Sequence, residues 1–307
     1  MAQNLFLLAI ATSLFAILVT CIPSQPCDPL EVAIAPQAQH ALGNFSYLVG
    51  WTLAGAALSD DELDVTCNNV NNTSHGKWSQ EGLNQTYIQE VVCNASHSSP
   101  NATTAVPYVI RYSTELFVTQ LLHAFAPGNT AAYAYLCQNL RYLLIDGFRL
   151  DSSRVINATC TASGIKQSPR PEGALPGVQV VTAAASTFLD TISTLYATIY
   201  ASAAISDSEL NIYCAHAPEY VDNINTLLLN GTLVQSTLCN ITQPLNVEDA
   251  RATFKTLSTT AFTTVISATS NIGGYTSWLL DNLDVESMNR VGLAGEAVVF
   301  QIQDAQD

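Results

Sequence analysis

The chain has 307 residues, 48% of them hydrophobic and only 11% charged, with 25 acidic against 10 basic side chains and a formal net charge of −15. That composition excludes a disordered chain, which needs low hydrophobicity and many charges. The acidic balance argues against nucleic acid as a partner, because such a surface repels phosphate backbones.

Residues 1–21, MAQNLFLLAIATSLFAILVTC, carry no charge and run apolar from Leu5 to Val19. They read as a secretory signal peptide cleaved at or shortly after Cys21, although the usual basic start is missing. An uncleaved membrane anchor is the alternative, disfavoured because the apolar run is short for a span. Residues 257–280 also lack charge but are threaded with Ser and Thr, and read as a buried helix. Sequons for N-linked glycans stand at Asn44, Asn71, Asn72, Asn84, Asn94, Asn101, Asn157, Asn230 and Asn240. Several fall in predicted turns, where glycans belong, and the set points to the eukaryotic secretory pathway and an extracellular address.

Beyond Cys21 and Cys27 the cysteines come in pairs: Cys67 and Cys93, Cys137 and Cys160, Cys214 and Cys239. The near-constant spacing within pairs predicts that each cysteine bonds the next one along the chain, closing three short loops. Cys27 is then odd, and is a candidate for bridging two chains. The approach to each first cysteine also recurs. Ser59 with Glu62, and Ser206 with Glu209, are capping boxes, in which the Ser hydroxyl takes an orphan amide and the Glu reaches back. Asn129 is the matching N-cap before Cys137. Each cap lies eight positions before its cysteine (59 to 67, 129 to 137, 206 to 214), so each cysteine leaves a similar face of a similar helix.

Upstream of each cap runs an apolar stripe at helical period: Phe45, Leu48, Trp51 and Leu53; then Ile110, Leu116, Phe117, Leu121 and Phe125; then Val181, Phe188, Ile192, Leu195 and Ile199; then Phe254, Leu257, Phe262, Val265 and Ile266. The fourth stripe is followed by a cap candidate at Asn271 and, eight positions on, Leu279 in place of a cysteine. The reading is an all-α fold of four tandem helical repeats of about 70–77 residues, the last atypical, as the closing unit of a stacked array usually is. Its boundaries are 1–21 for the signal peptide, then 22–104, 105–177, 178–250 and 251–307. Ala297–Ile302 reads as a short strand. Between the stripe positions, residues 182–204 carry almost only Ala, Ser and Thr. A helix buried on both sides is the plain account; a self-association face and the lining of an apolar ligand site are the others.

No nucleophile elbow, zinc-binding helix motif, phosphate loop or dinucleotide fingerprint occurs. No catalytic residue, cofactor or metal ligand is therefore assigned. Asp60, Asp61, Glu62 and Asp64 form the one dense acidic cluster, but a first helical turn favours negative charge without any cation. Of the five histidines, His75 and His97 sit in polar turns and His123 reads as a partly buried helix residue. Trp51 and Trp278 read as core, and Trp78, beside Lys77, as the exposed tryptophan. The expected function is that of a non-enzymatic structural or interaction protein of the cell surface or matrix, partnered by copies of itself or by another extracellular protein. The alternative is an extracellular carrier of a hydrophobic ligand such as a lipid or sterol.

Overall fold

Four long helices organise the chain, and shorter helices fold back on each. The computed structural model describes residues 29–72, 77–95, 102–167, 183–271 and 274–305. Helix α1 (Pro29–Ala56) is followed by α2 (Asp60–Asn72), α3 (Lys77–Gln80) and α4 (Gln85–Ala95). The second long helix, α5 (Ala102–His123), is followed by α6 (Thr130–Asn139), α7 (Tyr142–Gly147) and α8 (Ser152–Ser163). The third, α9 (Ala183–Ala203), leads into α10 (Asp207–Asn223), a 3-10 turn at Asn225–Leu227 and α11 (Gly231–Asn240). The fourth, α12 (Val247–Asn271), leads into α13 (Thr276–Asn282), α14 (Val285–Arg290) and α15 (Gly295–Asp304). Among the described residues there is no strand, only one antiparallel bridge between Phe125 and Leu283.

The long helices pair antiparallel, α1 with α5 and α9 with α12. Close approach of α1 to its neighbours depends on two glycines. A Cβ on Gly55 would lie 2.5 Å from the Ala105 Cβ of α5, and one on Gly50 would lie 2.9 Å from the Val91 Cβ of α4. Along the same seam Trp51 stacks on Tyr108 at 4.1 Å and Tyr47 on Tyr112 at 4.8 Å. Two large apolar cores result. One joins α1 and its followers to the second half of α9 with α10 and α11; the other joins the second half of α5 and α6–α8 to the second half of α12 and α13–α15.

One hydrogen-bond arrangement occurs four times. A buried hydroxyl in each long helix donates to the carbonyl four residues earlier and accepts the backbone N–H at the start of the last helix in its group. Ser46 accepts from Asn84 N–H at 2.8 Å, Thr114 from Asp151 at 2.9 Å, Ser193 from Asn230 at 2.8 Å and Thr259 from Ala294 at 2.9 Å. Their donations, to Leu42, Ile110, Leu189 and Lys255, are each 2.7 Å. The chain around each receiving amide matches as well. Two positions before it stands a residue of positive φ: Gly82, Arg149, Leu228 and Gly292. The next is a buried Leu in every case (Leu83, Leu150, Leu229, Leu293), and four positions after the amide comes a buried Ile88, Val155, Val234 or Val298. That Leu and the β-branched residue occupy the two positions of a hydrophobic staple, which sets the angle at which the chain enters a helix. Asn84, Asp151 and Asn230 also cap their helices by accepting backbone N–H bonds, as at Thr86, Arg154 and Leu233.

The three predicted disulfides are present, Cys67–Cys93, Cys137–Cys160 and Cys214–Cys239, with Cα atoms 4.9, 4.7 and 4.9 Å apart. Each ties the first short helix of a group to its last, and each closed loop is worth about 3 kcal/mol on the chain-entropy account. Both capping boxes are formed: Ser59 accepts from Glu62 N–H and Ser206 from Glu209 N–H, and each Glu returns a bond to the residue preceding its Ser, Leu58 or Ile205. The remaining oxygen of each Glu then crosses between groups, Glu62 accepting from Tyr220 at 2.6 Å and Glu209 from Asn69 at 2.7 Å.

Three expectations are corrected. Ala297–Ile302 is not a strand but part of α15, because Val298 and Ile302, four apart, turn inward together while Phe300 faces solvent. Asn271 does not cap a following helix; it is the last residue of α12, and α13 begins after Tyr275 without a side-chain cap. Trp78 is 0% exposed, since α3 is held inside the Cys67–Cys93 loop against the first core. Cys21, Cys27, His75 and His97 lie outside the described residues.

The hydroxyl contacts yield a stability expectation. Ser193→Ala should cost about 1–2 kcal/mol, because it leaves the Asn230 amide without its acceptor. Thr187→Ala, whose hydroxyl bonds only Ala183 on an exposed face, should stay within about 0.5 kcal/mol. Urea unfolding midpoints check both, and equal losses would remove the special role of Ser193.

Candidate functional site

The predicted small-residue face of α9 is not a surface. From Leu195 to Ala203 every residue is buried, with Ala197, Ser202 and Thr198 as enclosed as Ile199 and Tyr200. Small side chains there let α9 lie at the centre of the fold against α1, α11 and α12. The acidic cluster is likewise absorbed locally: Asp60, Asp61 and Glu62 form the first turn of α2, and Glu62 is engaged in its cap and with Tyr220. Among the described residues no three His, Cys, Asp or Glu side chains converge as metal ligands. His123 is half-buried, and burial lowers its pKa.

Three adjoining spaces lie along the boundary between the two cores. A cleft of about 590 Å³, part of it open to solvent, lies between the first half of α1, the start of α12 and the turn after α14. Ala38 and Ala41 make its α1 wall shallow; Leu42, Phe45, Leu116 and Phe254 make it apolar. It adjoins a second space of about 440 Å³, likewise partly open to solvent, that shares Leu116, Gln120 and Ser258 with it. That one adjoins a third, of about 330 Å³, through Ser113, Leu150, Phe188 and Ile192. The three form an apolar seam through the four-helix centre. Arg251, Lys255 and Arg290 stand at its wide mouth and Arg149 at its far end.

Glu81 projects into this mouth from the turn between α3 and α4, and its placement is anomalous. It stands three positions before the amide bonded by Ser46, where the other three groups have Phe148, Leu227 and Val291, all buried. Glu81 is itself 3% exposed, and neither carboxylate oxygen has a hydrogen-bond partner. Burial is the main influence on it and pushes its pKa up to about 8, against the opposing pull of Lys77 and Arg251. Lys77 is half-buried, donates to the Ser202 carbonyl at 2.5 Å, and has its pKa lowered by the same desolvation. Arg290 pairs with Glu286 through one nitrogen, while its Nη1 is buried without a hydrogen-bond partner. A buried carboxyl and a buried guanidinium nitrogen, neither hydrogen-bonded within the protein, thus stand in one largely apolar cleft.

The sequons divide by accessibility. Asn84, Asn94, Asn157, Asn230 and Asn240 are exposed; Asn84 and Asn230 cap helices through Oδ1, and the Nδ2 of Asn230 donates to Asp190 at 3.0 Å. Asn44 is 7% exposed in the middle of α1, with its amide nitrogen buried. The side chains of Asn71, Asn72 and Asn101 lie outside the described residues. No helix among the described residues is long and apolar enough to cross a membrane.

The chain matches no protein-family model, no curated protein and no solved structure.

Glu81 makes stability depend on pH. Its folded-state pKa of about 8 exceeds the ordinary 4.5, so the folded protein holds the proton more tightly than the unfolded chain. Its contribution is full below pH 4.5 and is lost as pH rises through 8, on the order of a few kcal/mol. Melting temperatures at pH 5 and pH 9 should fall more for the native chain than for Glu81→Gln, and parallel curves would contradict a buried neutral carboxyl.

Proposed function

We propose that the chain is a secreted, N-glycosylated binding protein without an enzymatic centre, which carries a hydrophobic ligand in the seam between its two cores. The seam itself is the observation that supports this reading. Three adjoining apolar clefts, each partly open to solvent, line up along the boundary between the two cores, where their lining comes from all four long helices. Three disulfides fit an oxidising compartment, in keeping with the apolar amino-terminal segment and the sequons.

The architecture behind it is four copies of one helical unit, the fourth without cysteines. Support comes from the recurring set of hydroxyl, positive-φ residue, Leu and inward β-branched residue, present in the fourth group as in the three stapled ones. Glycans belong on the exposed sequons. Peptide mapping of the secreted protein should find them among Asn84, Asn94, Asn157, Asn230 and Asn240 and find Asn44 bare; an occupied Asn44 would contradict its burial.

A second reading, assembly with copies of itself or with another extracellular protein, draws on one surface feature. Leu58 and Val65 beside one capped helix and Ile205 and Ile212 beside the other are exposed apolar residues at matching positions. One experiment separates the two readings. The protein secreted from a eukaryotic host is extracted with organic solvent, the extract is analysed by mass spectrometry, and the extracted protein is sized by light scattering. A co-purifying lipid with a monomeric protein supports the carrier. An empty extract, no uptake of apolar probes and a stable dimer would overturn it in favour of assembly.

A further inference from the structure

We infer that the ligand is a single-chain amphiphile with an anionic head, its head at the cationic mouth and its tail along the seam past Leu116 and Ser258. This rests on the carrier reading and assigns the chemical class of what is carried. The charge distribution carries it. The chain has only ten Lys and Arg against a net charge of −15, yet Arg251, Lys255 and Arg290 line this single opening. Repulsion from the acidic remainder of the molecule discourages anions from settling elsewhere, so the mouth is where a negative head is favoured.

The two orphaned groups fit the same head. The buried Nη1 of Arg290 is a donor without an acceptor. Glu81 sits where three sister positions are apolar, and its unbonded carboxyl, held neutral by burial near neutral pH, is a donor facing the same space. A neutral head group would make no use of the Lys255 ammonium at the mouth or of the unbonded Nη1 of Arg290. Inward, the lining turns to Leu48, Phe117, Phe188, Ile192 and Phe262, which suits an alkyl chain. The groups facing Glu81 are Lys77 on α3 and Arg251 on α12, so ionisation above about pH 8 adds one negative charge at the mouth and opposes binding.

The test uses the delipidated, disulfide-intact protein and three probes that share one tail: oleate, oleyl phosphate and oleyl alcohol, titrated calorimetrically. Both anions, or the one whose head fits, should bind at least about tenfold more tightly than the alcohol. Lys255→Gln, and Lys255→Gln with Arg290→Gln, should bring the anions toward the affinity of the alcohol, with circular dichroism and an unchanged melting profile reporting that the variants fold. Carboxylate and phosphate heads are told apart by which anion binds more tightly. Oleyl alcohol binding as tightly as both anions would overturn the anionic assignment and leave the carrier reading standing. Binding of none of the three would overturn both.

Discussion

The arrangement on which the rest of the fold depends is the contact between a buried hydroxyl in each long helix and the first amide of the helix that closes its group. A helix start carries amides that its own carbonyls do not satisfy. Here that start lies against another helix with its cap side chain outward, and the amide on the inner side takes an acceptor inside the protein. Ser46, Thr114, Ser193 and Thr259 supply it while their own protons go to the preceding turn. The bond fixes height as well as pairing. It sets where the last helix of each group begins against the long one, and with it where the disulfide and the buried Leu must fall.

With the groups fixed this way, the two cores are each filled by one pair of groups, and the long helices pass from one core toward the other. Side chains are drawn into one core or the other, and three adjoining clefts run along the plane between them. The seam is thus a consequence of building one body from two centres of packing. What distinguishes it from an ordinary packing defect is its chemistry: an ionisable carboxyl at a slot otherwise given to Phe, Leu or Val, and three of the scarce cations at one end.

Much of the skeleton was legible in the chain. Cysteine spacing is a local property, and nearest-neighbour pairing follows from equal loops whose caps precede them by equal distances. The Ser59 and Ser206 boxes are legible for the same reason, since a cap is a contact within four residues. Contacts between helices were not. Nothing in the period of residues 182–204 tells an exposed small-residue face from one enclosed by α1, α11 and α12, because Ala, Ser and Thr suit both. Trp78 reads as exposed because Lys77 and the nearby polar turn suggest a surface, whereas the disulfide loop closes over it. Ala297–Ile302 has the β-branched content of a strand, and only its packing against α12 and α14 makes it a helix. One further signal lay in plain view: Leu followed by Asn or Asp, then Ile or Val four positions later, then Cys, at 83–93, 150–160 and 229–239. It marks the closing helix of each stapled group; the fourth keeps only Leu293 and Val298, with Ala294 in the cap place and no cysteine.

Nearest-neighbour pairing of the cysteines bears on how the protein acquires its covalent structure. A chain made from its amino terminus releases Cys93 before Cys137 exists, and Cys160 before Cys214. At each stage the thiols exposed beyond residue 28 are those of a single native pair, and the intervening loop is short enough for its ends to meet quickly. Oxidation that keeps step with synthesis therefore meets few wrong choices, whereas a fully reduced chain offered all six thiols at once faces fifteen pairings. The order of the cysteines thus acts as a proofreading device written into time rather than into energy.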